Sequence, residues 1–424
     1  MKLHHLKVNG GIVHQRYQYA NIIQTDNNDL YIRPDLDESS DISTFLQYPC
    51  YDFSQVVNLQ NYLIEAVSNI STAVATQLLQ RLTNSFQDGQ HKKNSIILFN
   101  IVHLLRNSEI FDSVFSEIYI TITSSYLCQN VPNECILQAL YLLEIIVDKT
   151  YIKIPLEKIC FLKDLLLDSS FEIDYKLIII RILLKQISLD FPMELSLNLV
   201  EILQKLLNET EDLSLQVQSL KFISAIVDKH SFPFTHCQVE FFFQYANTKH
   251  LETVLAALMV FSSYSKNQSA IPQLLEFNLL EKLLHIPLFS FPAITCQILR
   301  ICSIMIENND TVGHHFLTLI NLGDFFSSQY PTQVTVLHII YNLSKKEIIK
   351  SLSQISPWCM EFVSNFIESD NEQLLYYTLS ILYQFRNELG ETIDKQHMEA
   401  IEAAQYHINE KIAQIARLFI ANRS

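Results

Sequence analysis

Between residues 52 and 387 the chain alternates apolar stretches with short polar linkers. Within each stretch, hydrophobic residues recur every three or four positions, which is the period of one helix face. The stretches also repeat. Residues 138–149 (QALYLLEIIVDK) match residues 218–229 (QSLKFISAIVDK), and 176–185 (KLIIIRILLK) lies midway between them. One central aliphatic residue anchors each copy: Leu98, Leu140, Ile180, Leu220, Leu258, Leu299, Leu337 and Leu379. Their successive separations are 42, 40, 40, 38, 41, 38 and 42. Such a period marks a repeat array, in which each unit hides its apolar face only by stacking on its neighbours.

Every anchor stretch follows a shorter amphipathic one. Residues 156–167, 193–207, 271–284 and 314–326 predict helices ahead of those at Ile180, Leu220, Leu299 and Leu337. Pro192, Pro272, Pro292 and Pro331 fall near the predicted helix starts, where a missing N–H costs nothing. The linkers at 208–212 and 368–372 are polar. The chain therefore divides into a polar, acidic segment (1–50), a repeat array (51–390) and a polar-faced capping helix (391–424) that closes the array. Residues 26–41 carry six acidic side chains against Arg33 alone, and such a tail could fold back over a positive surface.

Composition sharpens the fold class. Of 424 residues, 49% are apolar and 18% charged, ample for a core, yet glycines number six and residues 111–311 hold none. Parallel α/β folds and phosphate-binding loops depend on glycine for tight turns and close backbone approach, so the chain reads as all-α. A net charge of −15 without a lysine or arginine cluster argues against nucleic-acid binding. There is no signal-peptide pattern and no apolar run of membrane length, so membrane insertion is not expected. Eight cysteines without a C-x-x-C pair read as reduced thiols of a cytosolic or nuclear protein.

Residues 270–284 (AIPQLLEFNLLEKLL) resemble the first and second helices of the armadillo-repeat family. Residues 336–344 (VLHIIYNLS) resemble the end of its third and longest helix. HEAT repeats, with a similar period and two helices, are the neighbouring type. The resemblance implies a right-handed α-α superhelix, an armadillo-like solenoid of about eight repeats of roughly 40 residues. It also implies that third helices line a concave groove that holds extended peptides. The position after each anchor should face that groove: Phe99, Tyr141, Arg181, Lys221, Met259, Arg300, His338 and Ser380. Four residues on stand His103, Ile145, Lys185, Ala225, Ser263, Ile304, Asn342 and Gln384. Importin-α-type carriers place tryptophan in the first column and asparagine in the second; here only Asn342 matches, and Trp358 lies outside. The candidate binding residues are therefore Tyr141, Arg181, Lys185, Lys221, Arg300, His338, Asn342 and Gln384. Their cations suit extended acidic protein segments.

Catalytic and metal chemistry has no support in the sequence. No G-x-x-x-x-G-K, G-x-S-x-G or H-E-x-x-H motif occurs. His314 and His315 diverge by about 100° on a helix and cannot share a metal. His236 and Cys237 do not face each other, and Cys128 and Cys135 lack a second pair for zinc. Cys296, Cys302 and the run Phe241 to Phe243 read as core. The expected function is a non-catalytic scaffold or adaptor without a cofactor. The alternatives are a divergent nuclear transport carrier and a regulatory subunit or exchange factor of a chaperone or other enzyme.

Overall fold

The computed structural model describes residues 42–421 apart from 67–69, 88, 108–112, 151, 190, 232, 288 and 390–394. The acidic stretch 26–41 lies outside the described residues. All regular structure among those described is helical.

The helices form where the apolar period places them. The stretch predicted at 156–167 is the helix Leu156–Leu167, and the one at 193–207 is Met193–Glu209, with Pro192 at its N-cap. The stretch 271–284 divides in two because Asn278 takes a left-handed conformation (φ 56°), which asparagine tolerates better than most residues. The stretch 314–326 becomes the helix Asp310–Leu319 and a 3-10 turn, Leu322–Phe325. Asn309 and Asn321 cap these two pieces through their side-chain oxygens.

Two units are distinguished, residues Met1–Ile110 and Phe111–Ser424. In the first, α1 (Phe53–Ala66), α2 (Thr72–Asn84) and α3 (His91–Asn107) bury Val56, Leu59, Leu63, Leu78 and the anchor Leu98 completely. α3 packs on both partners. The Asn100 amide donates to the Val56 carbonyl at 3.1 Å, tying α3 to α1.

The second unit begins with α4 (Ser113–Tyr126) and α5 (Asn133–Lys149). Two-helix units follow: α6 (Leu156–Leu167) with α7 (Ile173–Ile187), α8 (Met193–Glu209) with α9 (Leu213–His230), and α10 (His236–Ala246) with α11 (Leu251–Ser265). From residue 268 each unit has three pieces. The first holds α12 (Ile271–Glu276), α13 (Leu279–Leu284) and α14 (Pro292–Asn308). The second holds α15 (Asp310–Leu319), the 3-10 turn and α16 (Tyr330–Lys345). The third holds a 3-10 turn, Leu352–Gln354, then α17 (Cys359–Ser364) and α18 (Glu372–Gln384). This is the helix content of armadillo repeats, whereas α6 to α11 have the two-helix content of HEAT repeats.

The long helices α5, α7, α9, α11, α14, α16 and α18 pack consecutively, each against the next, and α18 packs on α20 (Glu410–Ala421). The remaining helices, most of them shorter (α8, with 17 residues, is the exception), pack against this row and cover it. Row neighbours are parallel. Glu144 and Asp148 of α5 meet Arg181 and Lys185 of α7, so the two chains advance together. At the C-terminal ends Lys229 donates to the carbonyls of Ile187 and Leu189, Asn308 to that of Ser265, and Gln384 to that of Ser344. At an N-terminal end, Asn409 donates to the Glu372 carboxylate. The anchors Leu140, Ile180, Leu220, Leu258, Leu299, Leu337 and Leu379 are all fully buried. Each contributes about 1.5–3 kcal/mol on transfer from water.

Residues 391–424, expected as one long capping helix, contain α19 (Lys395–Ala404) and α20. The helix breaks at Asn409, whose N–H donates to His407 Nδ1 (3.0 Å) and whose Oδ1 accepts from the Lys411 N–H (3.2 Å), starting a new helix. Ile412, Ala413, Ala416 and Phe419 are buried where α20 meets α18 and α19.

Candidate binding surface

The side of the row turned away from the covering helices presents the positions after each anchor and those four and five residues further on. The sequence-selected residues fall into four groups there. Tyr141 and Asn342 are buried. The Asn342 amide donates to the Ser303 carbonyl and hydroxyl, both at 3.4 Å, so its role is to join α16 to α14.

Arg181 and Lys185 are exposed but partnered. Arg181 Nε lies 2.5 Å from Glu144 Oε1, and Lys185 Nζ lies 2.9 Å from Asp148 Oδ1. Two steps further along the row, Lys266 at the end of α11 pairs with Asp228 of α9. The α5–α7 stretch of this face is thus a ladder of matched charges rather than a positive strip.

Lys221 on α9 and Arg300 on α14 have no ion-pair partner among the described residues. Between them Met259 on α11, at the same position relative to its anchor, is 41% exposed. Below it the Ser224 and Ser263 hydroxyls meet at 3.0 Å and close the seam between α9 and α11.

The far end of the face is aromatic. His338 Nδ1 lies 3.0 Å from the Ser303 hydroxyl, and its ring stacks on Tyr377 with centroids 4.9 Å apart. Tyr341 stacks on Tyr377 at 4.4 Å, and Tyr376 meets it edge-on at 6.0 Å. Burial lowers the His338 pKa, Glu307 partly opposing this and Lys345 adding to it, so the imidazole is neutral at pH 7. Burial raises the phenols of Tyr341 and Tyr377, which stay protonated. Gln384 is exposed, its amide donating to the Ser344 carbonyl at 2.6 Å.

Sequence reasoning selected the cations without their carboxylates, because each partner sits on the preceding row helix. The signal available was opposite charge at an offset of 37: Glu144 to Arg181 and Asp148 to Lys185. The aromatic cluster was missed because Tyr376 and Tyr377 lie three and two residues before their anchor.

No set of three metal-ligating side chains gathers among the described residues, where His315 is bound to Glu281 Oε1 at 2.5 Å and no disulfide joins the cysteines. Phe242 is buried, while Phe241 and Phe243 are half-buried and make ring contacts with Tyr245, Phe261 and Phe277. No described helix is long and apolar enough to cross a membrane.

No family model and no curated protein matches the sequence. Among solved structures, an engineered protein is similar over 91% of this chain and 100% of its own, at 14% identity and a TM-score of 0.61. A chain from a study of the phosphorylation switch controlling the interaction between cadherin and beta-catenin is similar over 98% of this chain and 97% of its own. Its identity is 10% and its TM-score 0.54. A designed armadillo repeat protein in complex with the peptide (KR)4 aligns over 53% of this chain and 98% of its own, at 12% identity and a TM-score of 0.41. The fold is an all-α, armadillo-like solenoid.

Proposed function

We propose that the chain is a non-catalytic protein-binding scaffold whose long-helix face holds an extended acidic segment, with Lys221, Met259 and Arg300 at the centre. The observation that carries this reading is the equivalence of those three positions. Three consecutive row helices offer cation, thioether and cation in one register, and neither cation is neutralised. Arginine and lysine form charge-assisted hydrogen bonds with carboxylates and phosphates. Methionine adapts its shape to an apolar side chain between them. Matched charges on the α5–α7 side limit where a second acidic group could be accepted. The similarity to a chain from a study of a phosphorylation-controlled protein interaction supports a protein as the partner.

The test is fluorescence anisotropy with labelled extended peptides carrying Glu-Glu, one leucine and a further Glu-Glu or phosphoserine pair. The double variant Lys221→Glu, Arg300→Glu is expected to lose at least tenfold in affinity while keeping its melting temperature. Arg181→Glu, which disturbs a cation already paired, is expected to lose less. Equal affinity in the wild type and the double variant would remove the reading.

A further inference from the structure

Parallel packing brings the N-terminal ends of the row helices to one edge of the second unit. At that edge the first helical turn begins with a large apolar residue again and again. Ile173, Leu213, Leu251 and Tyr330 open α7, α9, α11 and α16, Phe291 is the N-cap of α14, and Ile408 lies two residues before α20. The steps between them are 40, 38, 40, 39 and 78, the last being two units long. The first five are between 39% and 59% exposed, and Ile408 is 96% exposed.

Helix starts favour Ser, Thr, Asp or Asn, whose oxygens satisfy free N–H groups. A large apolar residue that keeps 39% or more of its surface in water there leaves apolar area that the fold does not cover. One such residue is ordinary on any surface, but six in the register of the repeat form a ridge. Leu156 and Met193 also open helices, α6 and α8, 37 residues apart, and Trp358 is the N-cap of α17, but these helices cover the row and are not members of it.

The ridge has a pocket. Tyr330, Phe362 and Phe366 line a cleft of about 260 Å³ with Gln333, Asn365 and Glu368 at its polar side. The Tyr330 and Phe366 rings lie 6.3 Å apart, and Phe362 is held by a stack on Phe326 at 4.2 Å. A preformed cleft with aromatic walls and a polar side, beside exposed apolar positions, can anchor one bulky side chain of a partner.

Charge beside the ridge selects the guest. Glu172, Asp174, Glu211, Glu252 and Glu368 are exposed along it, against exposed Lys249 and Lys411 and half-buried Lys176, while Glu410 is already paired with Arg417. These carboxylates outweigh the partial positive charge of the helix ends. Row helices pack about 8–10 Å apart, which is about five to seven residues along an α-helix rising 1.5 Å per residue, and the upper end of that range is the spacing that keeps a guest's residues on one helix face.

We propose that this edge is a second docking surface, separate from the long-helix face, and that it takes a basic amphipathic helix of another protein. The guest lays apolar residues at about seven-residue spacing along Leu213, Leu251, Phe291 and Tyr330. It seats one bulky side chain in the Tyr330–Phe362–Phe366 cleft, with flanking lysines or arginines against the carboxylates.

The test uses the full chain and three labelled synthetic peptides read by anisotropy. One is a helical peptide with leucine or phenylalanine every seven residues and lysine flanks, one its scrambled isomer, and one the same apolar pattern with glutamate flanks. The first is expected to bind at least tenfold tighter than either of the others. Leu251→Asp, Tyr330→Asp is expected to cost it at least tenfold, and Leu213→Asp, Phe291→Asp provides an independent pair. All four positions are exposed, so melting temperatures should hold. Lys221→Glu, Arg300→Glu should leave this peptide's affinity unchanged, which separates the edge from the long-helix face. Equal binding of the scrambled peptide, or full binding by both folded ridge variants, overturns the proposal. So does sedimentation showing a wild-type dimer that the ridge variants convert to monomer, because the guest would then be a second copy.

Discussion

The stretch α5–α11 and the stretch α12–α18 solve the same stacking problem with different ties. In the first, two-helix units are joined across the open face by exposed ion pairs: Glu144–Arg181, Asp148–Lys185 and Asp228–Lys266. In the second, three-piece units are joined by a half-buried network of Ser303, His338, Asn342 and stacked tyrosines. The anchors beneath are equally buried in both stretches. The core therefore sets the repeat, while the ties set how each stretch responds to salt, pH and substitution. Exposed pairs are weak and screened, whereas a buried polar group that loses its partner carries its full desolvation cost.

Six substitutions sharpen this contrast. The largest effect belongs to the shared core. Leu220→Ala and Leu299→Ala should each cost about 2–5 kcal/mol by cavity formation, one from each stretch, measured by denaturant unfolding. A large difference between them would break the claim of a common core. Next comes Gly313 on α15, where a Cβ would collide with Ile348 Cδ1 and press on Leu343 Cδ2. Gly313→Val should cost about 1–3 kcal/mol by overpacking, visible in the same unfolding curves.

A comparable loss of about 1–3 kcal/mol is expected for Asn342→Leu, which strips Ser303 of a partner. The same network predicts a pH response. The His338 pKa is depressed in the folded state, so the unfolded chain binds more protons below the ordinary histidine value of about 6.5. Its contribution is full above that pH and is lost progressively as pH falls toward the folded-state pKa. Thermal melts at pH 7.5 and 5.5 should differ less for His338→Gln than for the wild type. The response should not vanish, because His230 is depressed in the same direction by burial and by Lys229. The smallest effect is in the ladder. Arg181→Gln should change stability by no more than about 1 kcal/mol, and added salt should bring variant and wild type together.

The helix pattern was legible because burial follows period. Leu156–Leu167 falls where the spacing puts it, and every anchor is in the core. Breaks were less legible, since they depend on single residues: Asn278 in a left-handed turn and Asn409 starting α20 each interrupt a continuous apolar pattern. The open face was the least legible. A column of cations predicts a charge only if the neighbouring helix contributes none, and α5 contributes Glu144 and Asp148. At the same offset of 37, Lys221 and Arg300 face Leu184 and Ser263 rather than a carboxylate.

Amide hydrogen exchange on the full chain, with and without the acidic peptide, tests the central claim most directly. Slowed exchange confined to α9, α11 and α14 is the predicted result. Protection falling on the covering helices α8, α10 and α13 instead, or none at saturating peptide, would contradict it.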